Sequence, residues 1–408
     1  MKKLQARHIM LIAALCGMMS NCLGVLFNVA GLFFNPIADE FLIGRGDVSM
    51  AHTIATMGCA LGGITGAWVA KRMKFRPIVL ISAIVFAGAT ALLAFTHSIW
   101  PQYILSAFRG IAAGTAGTVL VTIVINNWFT GKVGLMTSLI FCSAGISGAI
   151  LSPILSAVIE AAGWRTGYLA MAAFIVLFYL PGILFPLGIK PEDAGYEALV
   201  LGEKGEPLKA QPAADPAKAA GKVDPALYLL VLVYACIASA STAYIPHFSG
   251  IADSYGQTAA VGSAMVSASM LANTFGKLAY GWLTDRVGIR KGVGIWGMLV
   301  ILGIVLLLKV HSGSALYAAA FLIGMCYSLS SVGTALLSRE IFGIANHAKV
   351  YPSINMLNTI ANAALTSVIG FMYDAFGNYD GALLLFLGGE IVLMACTMLA
   401  YRRAARTR

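Results

Sequence analysis

Two positively charged side chains lie inside long apolar stretches of the chain. Lys277 lies about eight residues before Asp285, and Arg109 lies about eight residues after Pro101, which places each roughly 12 Å along a helix from a polar end. A charge in the hydrocarbon region costs several kcal/mol, so it usually faces a polar cavity and marks function. An ammonium attracts a carboxylate as a point charge, whereas a guanidinium binds it with two parallel hydrogen bonds. The pair indicates anion binding, with two alternatives left open: Lys277 extends to the interface, or Arg109 only bonds neighbouring helices.

Neutral hydrogen-bonding side chains in the same stretches complete the candidate site. Tyrosine and amide groups supply hydrogen bonds without adding another charge to be buried. We therefore expect five of them to surround a bound anion: Tyr244, Asn273, Tyr327, Asn355 and Asn358.

Two further titratable residues are candidates for proton coupling. His247 follows Pro246 near the end of an apolar stretch, and an ordinary histidine pKa of about 6.5 suits proton transfer. An ordinary hydrogen-bonding role is equally expected for such a histidine. Glu390 follows Gly388 and Gly389 inside the last apolar stretch. Burial disfavours a charged carboxylate, and we expect Glu390 to be structural rather than a proton site.

These residues belong to a chain of 408 residues that is 59% hydrophobic and only 11% charged. A soluble protein of this size must cover its surface with polar groups and cannot hide so much apolar side chain. A membrane-spanning helix needs about 20 mostly apolar residues, and the long apolar runs lack the alternation of β-barrel strands. The sequence predicts an all-α membrane protein with twelve transmembrane helices, numbered here as spans 1 to 12: 9–34, 48–70, 77–96, 101–128, 133–159, 166–188, 225–247, 258–282, 292–309, 314–338, 348–373 and 381–401.

The distribution of positive charge predicts how the chain is oriented. Of the 27 Lys and Arg residues, 22 fall at the two ends and in every second loop, whereas the opposite loops hold Arg45, Arg165 and Lys309. This asymmetry is the positive-inside rule. It predicts a multi-pass protein of the cell (inner) membrane with both termini in the cytoplasm, and it accounts for the net charge of +10 without nucleic acid.

A polar segment divides the chain into two halves that resemble each other. Residues 189–224 are rich in charge, Ala and Pro and predict a cytoplasmic linker. The linker separates an N-terminal six-helix half, 1–188, from a C-terminal half, 225–408. The segment that begins at Gly66 matches the one that begins at Gly281, at an offset of 215 (281 − 66). The segment at Glu160 matches that at Asp374, at an offset of 214 (374 − 160). The sequence therefore predicts an internal repeat.

The second copy of the first repeated segment resembles a known signature. The string from Gly281 to Lys291, Gly-Trp-Leu-Thr-Asp-Arg-Val-Gly-Ile-Arg-Lys, is similar to the motif that follows helices 2 and 8 in the major facilitator superfamily. The resemblance implies two six-helix halves related by an axis along the membrane normal. It also implies a conformational latch formed by Gly281, Asp285, Arg286, Gly288 and Arg290. The first copy departs from the motif, because Ala70 replaces the Asp and Met73 replaces a Gly.

A narrower resemblance runs through spans 7 and 8. The strings from Tyr244 to Gly256 and from Asn273 to Gly281 look like helices 7 and 8 of monocarboxylate porters and oxalate/formate-type antiporters. Those families usually carry Arg where this chain has Lys277, and the oxalate-type antiporters place a Lys where this chain has Asn358. The resemblance implies a carrier of small organic anions, and these departures favour a monoanion over a dianion such as oxalate.

The sequence thus predicts a secondary transporter that works by alternating access and is driven by protons. Exchange of one anion for another, export of drugs or other solutes, and a transport-fold receptor are the alternatives. A receptor usually carries a signalling domain, and the 36-residue linker is too short for one. An enzyme is disfavoured because the buried ionisable groups are scattered over spans 4, 8 and 12. We expect no cofactor and no metal, and we expect a monomer whose partners are the anion, protons or a counter-anion, and lipid.

Overall fold

The computed structural model describes residues 6–130, 133–195, 199–200, 223–310 and 313–407, which form helices joined by short connections. Helices α1 to α7 are Ala6–Met19, Phe34–Phe41, Arg45–Val69, Phe75–Leu93, Ile99–Thr115, Thr118–Trp128 and Val133–Leu184. Helices α8 to α15 are Pro225–Ala240, Phe248–Ser254, Ala259–Val287, Ile289–Lys309, Gly313–Gly324, Cys326–Ser328, Thr334–Phe376 and Asp380–Thr407. Strands β1 (Phe129–Thr130) and β2 (Leu199–Val200) pair in parallel over two residues each.

The twelve predicted spans all correspond to helical segments. Chains inside a bilayer must satisfy their backbone groups internally, and helices do so within one segment. Nine of the described helical stretches are long and apolar enough to cross a membrane by length and composition. The stretch Leu139–Leu184 holds spans 5 and 6, which meet at Gly163, where φ is +80°. Spans 2 and 8 correspond to α3 and α10, which are rich in Gly, Ser and Thr and less apolar. The predicted fold class is confirmed.

The chain forms two compact units. Unit 1 comprises Met1–Leu42 and Met50–Pro212, and unit 2 comprises Ile43–Ser49 and Ala213–Arg408. The core of each unit is apolar; Trp128 and Tyr179 are among the largest fully buried side chains of unit 1, and Tyr234 and Phe248 among those of unit 2. Most of the predicted linker, 189–224, lies outside the described residues. At its start the side-chain amide of Asn127 donates a hydrogen bond to the carbonyl of Ile189 at 3.1 Å.

A neighbouring Trp and Arg make the same kind of contact at the end of α3 and at the end of α10. The Arg72 guanidinium lies 4.0 Å from the centre of the Trp68 ring. The Arg286 guanidinium lies 4.1 Å from the centre of the Trp282 ring. The two pairs are 214 residues apart (282 − 68), one residue from the offset of 215 at which the Gly66 and Gly281 segments match. The two segments therefore end in a similar local contact.

Four spans are interrupted within the described residues, and they are the first of each successive group of three. Span 1 changes to a π-helix at Ser20–Asn28, and span 4 breaks between α5 and α6. Span 7 changes to a 3₁₀-helix at Ser241–His247, and span 10 to a π-helix at Leu329–Gly333. Irregular backbone at membrane depth is tolerated where surrounding protein or a cavity satisfies it. These interruptions place polar backbone groups in the interior of each unit.

Candidate functional site

The structure brings Lys277 and Tyr327 together in unit 2. Lys277 is half-buried on α10, and its Nζ lies 5.9 Å from the centre of the Tyr327 ring on α13. A cation above an aromatic face is stabilised by about 0.5 to 2 kcal/mol, depending on how much water is excluded. The contact holds the ammonium against a polarisable surface while the charge remains positive. A carboxylate of a bound molecule is the natural partner for such a group.

Some polar atoms on the helices that carry this pair have no hydrogen-bond partner among the described residues. Asn273 lies one helical turn before Lys277, so the two side chains share a face of α10. Asn273 is 8% exposed, and its Oδ1 has no hydrogen-bond partner among the described residues. The hydroxyl of Ser328, next to Tyr327, is fully buried and also lacks one within that part of the chain. Leaving a buried polar group unsatisfied costs about 1 to 3 kcal/mol, so this region of unit 2 has hydrogen-bonding capacity to offer a ligand.

Arg109 is buried in unit 1 with neutral neighbours. It is 7% exposed, its Nε donates to the Thr90 hydroxyl at 3.0 Å, and an Nη lies 3.5 Å from the Met171 sulfur. The guanidinium carbon lies 5.9 Å from the centre of the Phe86 ring and 5.7 Å from that of Tyr168. The ion pairs found among the described residues do not include Arg109. The contacts hold the guanidinium in place and leave its charge without a carboxylate in the described part of the chain.

The two candidates from span 7 contact other helices of unit 2. The Tyr244 hydroxyl donates to the carbonyl of Ala382 at 2.7 Å, and its ring stacks on Phe386. His247 is 1% exposed, and its Nε2 lies 2.9 Å from the carbonyl oxygen of Thr366. Tyr244 therefore uses its only hydroxyl proton on the backbone of α15, a placement that favours packing over ligand binding. His247 lies at the end of the 3₁₀ segment, in contact with α14.

Span 11 presents amide side chains along one helical face, at positions i, i+3 and i+7. Asn355 is exposed, whereas Asn358 is 6% exposed and its Oδ1 accepts a hydrogen bond from Thr359 at 3.3 Å. The described hydrogen bond of Asn358 stays within its own helix, so the described contacts do not assemble all the predicted ligands. The third member, Asn362, donates to the carbonyl of Ser239 and to the hydroxyl of Thr242. Its spacing from Asn355 and Asn358 is the sequence signal that places Asn362 on the same helical face as those two amides.

The predicted latch residues lie at the end of α10 and the start of α11. Gly288 has a φ of +82°, which suits glycine, and its amide donates to Thr284 as the helix ends. The Nε of Arg290 lies 3.1 Å from the Met398 sulfur on α15. Gly281 is half-buried and Asp285 is exposed, and the described residues offer the Asp285 carboxylate no hydrogen bond or ion pair. The latch role of Asp285 therefore stays a prediction.

Sequence reasoning did not identify an ionic cluster in unit 2 around the start of α3. The two carboxylate oxygens of Asp374 accept hydrogen bonds from the amides of Arg45 and Gly46 at 2.8 and 2.7 Å. The Arg45 guanidinium pairs with Asp253 at 2.7 Å and lies 4.0 Å from the centre of the Tyr373 ring. Asp374 caps the N-terminus of α3, where a negative charge is favoured. These residues are far apart in sequence, and only the fold reveals their proximity.

Unit 1 has a smaller counterpart. The Arg165 guanidinium pairs with Glu40 at 2.5 Å, and the Trp164 indole donates to the same carboxylate at 2.6 Å. The Arg165 hydrogen bond is the main cause that lowers the pKa of Glu40. Within the described residues, no group of three or more His, Cys, Asp and Glu side chains is arranged to hold a metal ion.

Comparison with known proteins gives one family and one fold. The sequence profile of the Major Facilitator Superfamily matches residues 9–251 and 230–408. Among solved structures, a mutant of the nucleoside transporter NupG superposes with a TM-score of 0.73 at 11% identity, covering 96% of this chain and 100% of that one. A bacterial homologue of the human lysosomal transporter Spinster, in an inward-facing and occupied conformation, gives a TM-score of 0.68 at 14% identity, covering 100% and 98%. No curated protein matches the chain.

Proposed function

The chain belongs to the Major Facilitator Superfamily, and from this membership and its buried positive charges we propose that it is a secondary transporter of small organic anions. Members of the superfamily move solutes by alternating access about a midplane site between helix repeats. Monocarboxylates are the substrate class that we propose first. At 11% and 14% identity the solved relatives share the fold with this chain, and their substrates do not transfer to it.

The observation that carries this proposal is the environment of Arg109. Its described contacts are a hydroxyl, a thioether and two aromatic rings, all of them neutral. A buried charge without a partner costs several kcal/mol, and an opposite charge on a ligand offsets that cost. Two of the five guanidinium N–H donors are used in these contacts, so donors remain for a carboxylate. An anion is the ligand that this arrangement favours.

Lys277, in unit 2, is the second cation of the proposal. Its ammonium lies against the Tyr327 ring, one turn after Asn273. A compact ammonium neutralises one negative charge and imposes little geometry. This favours a small monoanion over a dianion, and we assign Lys277 as the main electrostatic partner of the substrate, with Asn273 and Tyr327 beside it.

Coupling to protons is the second part of the proposal. An anion that enters a poorly hydrated cavity needs charge compensation, and a proton that moves with it provides that compensation. His247, buried against α14, is the candidate that the sequence identified. Exchange against an internal anion gives the same compensation and is the alternative. We further propose a monomer in the cell membrane with both termini in the cytoplasm, from the positive-inside distribution.

Uptake into proteoliposomes tests the substrate class. Labelled formate, acetate, lactate, pyruvate and oxalate are offered with and without an inward proton gradient. We expect uptake of one monocarboxylate that the gradient accelerates and that Lys277→Ala abolishes. Lys309→Ala is the matched control, because Lys309 is an exposed cation at the end of α11, and it should transport like the wild type.

Further outcomes separate the alternatives. Uptake that requires an internal anion and ignores the gradient identifies exchange. A wild type that moves none of the five anions refutes the substrate class.

Arg109→Lys retains the charge and loses the planar fork, so a raised KM with unchanged thermal stability assigns Arg109 to the substrate. A lowered stability with unchanged KM makes Arg109 a structural residue.

A further inference from the structure

A carboxyl group is completely buried in unit 2. Glu390 on α15 is 0% exposed. Its Oε1 lies 2.7 Å from the hydroxyl oxygen of Ser241, and its Oε2 has no hydrogen-bond partner among the described residues. No described Lys, Arg or His forms an ion pair with it. Burying an ionised carboxylate without a cation is among the most costly events in a protein interior, so the neutral acid is the favoured form here.

The titratable groups that face Glu390 do not supply a compensating charge. Tyr234 on α8, Tyr244 on the 3₁₀ segment and Cys326 on α13 interact with it electrostatically. Tyr280 on α10 and Tyr401 on α15 lie beside Tyr234. The neighbouring helix α11 presents Gly297, where an added Cβ would lie 4.0 Å from Oε2. Tyrosine and cysteine are neutral near pH 7, so Glu390 is the group among them that can carry a charge there. Two charged residues, Glu340 and Arg290, interact with Tyr401.

The hydroxyl of Ser241 has two acceptors within reach and one proton to give. Its oxygen lies 2.7 Å from Oε1 of Glu390 and 2.9 Å from the carbonyl oxygen of Ile237. When Glu390 is neutral, its own O–H can donate to Ser241, and Ser241 can donate to Ile237. When Glu390 is ionised, it can only accept, so Ser241 must turn its proton away from Ile237. The protonation state of Glu390 thus selects which hydrogen bond Ser241 makes.

This choice falls where the backbone of span 7 changes its geometry. Helix α8 ends at Ala240, and the 3₁₀ segment begins at Ser241. The Ser241–Ile237 bond reinforces the last α-helical turn, and this bond is lost when Ser241 donates its proton to an ionised Glu390. From α14, the amide of Asn362 holds the same junction through Ser239 and Thr242. The junction is therefore fixed on one side by a neutral amide and on the other by a group that can ionise.

We propose that Glu390 is a proton-binding site and that loss of its proton switches the hydrogen bond of Ser241, and with it the α-to-3₁₀ junction of span 7. The part of this proposal that concerns transport rests on the proposed proton-coupled function. Glu390 then carries the coupled proton, and Ser241 is its positioning residue. His247, six residues further along the same segment, contacts α14 rather than Glu390.

Infrared difference spectroscopy on the reconstituted wild type tests proton binding without any transport assay. The carbonyl band of a protonated carboxylic acid is followed while the pH is raised. We expect a band that disappears with rising pH, that is absent in Glu390→Gln and that is displaced in Ser241→Ala, because Ser241 bonds the same group. Glu160→Gln replaces an exposed glutamate and should retain the band. The proposal is overturned if the wild type shows no carbonyl band that titrates with pH. It is also overturned if such a band persists in Glu390→Gln.

The transport measurement tests coupling. In Glu390→Gln, the ratio of uptake with and without the proton gradient should fall to about 1, which is the value for uncoupled ligands. Exchange of labelled for unlabelled substrate should persist, which shows that the variant is folded. A gradient effect equal to that of Glu160→Gln refutes the coupling role. If the wild type moves no anion, the proposed function fails, and the infrared band alone decides whether Glu390 binds a proton.

Discussion

Replacing Gly114 by alanine is expected to separate helices α3 and α5 in unit 1. These helices approach so closely that only glycine fits at their contact. A Cβ at Gly114 would lie 2.1 Å from the carbonyl oxygen of Cys59, and one at Gly110 would lie 2.1 Å from that of Ala55. On the facing helix, a Cβ at Gly62 would lie 2.3 Å from the carbonyl oxygen of Ile111. Small residues at such spacing are the usual way in which membrane helices pack backbone against backbone.

The size of the effect follows from these distances. The alanine methyl group needs about 1.3 Å more room to move from 2.1 Å to the ordinary contact of 3.4 Å. The obstructing atoms are backbone atoms of Cys59, so no side chain can rotate away. Overpacking in a tight core costs about 1 to 3 kcal/mol, and the absence of a flexible neighbour places Gly114→Ala near 3 kcal/mol. Adding Gly110→Ala should cost less than a second full increment, because one displacement of the helix relieves both clashes.

Thermal stability in detergent, followed by the loss of the monodisperse peak in gel filtration, measures this effect. Gly88→Ala is the matched control, because a Cβ at Gly88 on α4 meets no heavy atom within 4 Å. We expect Gly88→Ala to melt like the wild type and Gly114→Ala to melt clearly lower. Equal melting of the two variants would refute the close contact of α3 and α5. A double variant that loses the sum of both single losses would refute the shared displacement.

Two further predictions concern charged groups near the ends of helices. Arg165 holds the pKa of Glu40 below its usual range. The ion pair therefore stabilises the protein at pH values above the ordinary carboxyl pKa, and this stabilisation is lost as the pH falls through the lowered pKa of Glu40. In Glu40→Gln and in Arg165→Gln, the melting temperature should fall less steeply with decreasing pH than in the wild type. A fall as steep as that of the wild type in both variants would contradict this prediction. Asp374→Ala removes two hydrogen bonds to the first amides of α3 and should cost about 1 kcal/mol. Asp380→Ala is its control, because the Asp380 carboxylate has no described hydrogen bond. Equal melting temperatures of Asp374→Ala and Asp380→Ala would exclude the capping role of Asp374.

The sequence predicts the helices well because a bilayer imposes a single requirement on them. Runs of about 20 apolar residues mark the spans, and the repeat at offsets of 215 and 214 marks the two halves. The boundaries of regular helices such as α4 and α11 lie within about three residues of the predicted ones. Spans 5 and 6 were separable because Gly163, with its φ of +80°, stands between them. Sequence alone also singled out Lys277 and Arg109, since charge within an apolar run is visible without any structure.

The partners of those charges were not predictable in the same way. The contact of Lys277 with Tyr327 and that of Arg109 with Met171 each join residues from different helices. Which side of a helix faces its own unit depends on packing, and an apolar run in a membrane protein carries little periodicity to reveal it. The same reason explains Tyr244. Its residue type suits a ligand, and only the fold shows that its proton is donated to Ala382.

The interrupted helices connect the fold to the proposed mechanism. Spans 1, 4, 7 and 10 lose regular α-helical hydrogen bonding in the described structure, whereas α3, α4, α10, α11 and α15 continue through their spans without a break. A π or 3₁₀ segment has weaker or fewer bonds than an α-helix, so its geometry can change at lower cost. Arg109, Tyr327 and His247 all lie on interrupted spans, and Glu390 bonds the first residue of one such segment. Binding or release of a proton or an anion at these positions therefore acts on backbone segments whose geometry changes at low cost. Lys277, on the continuous helix α10, provides instead a fixed positive charge.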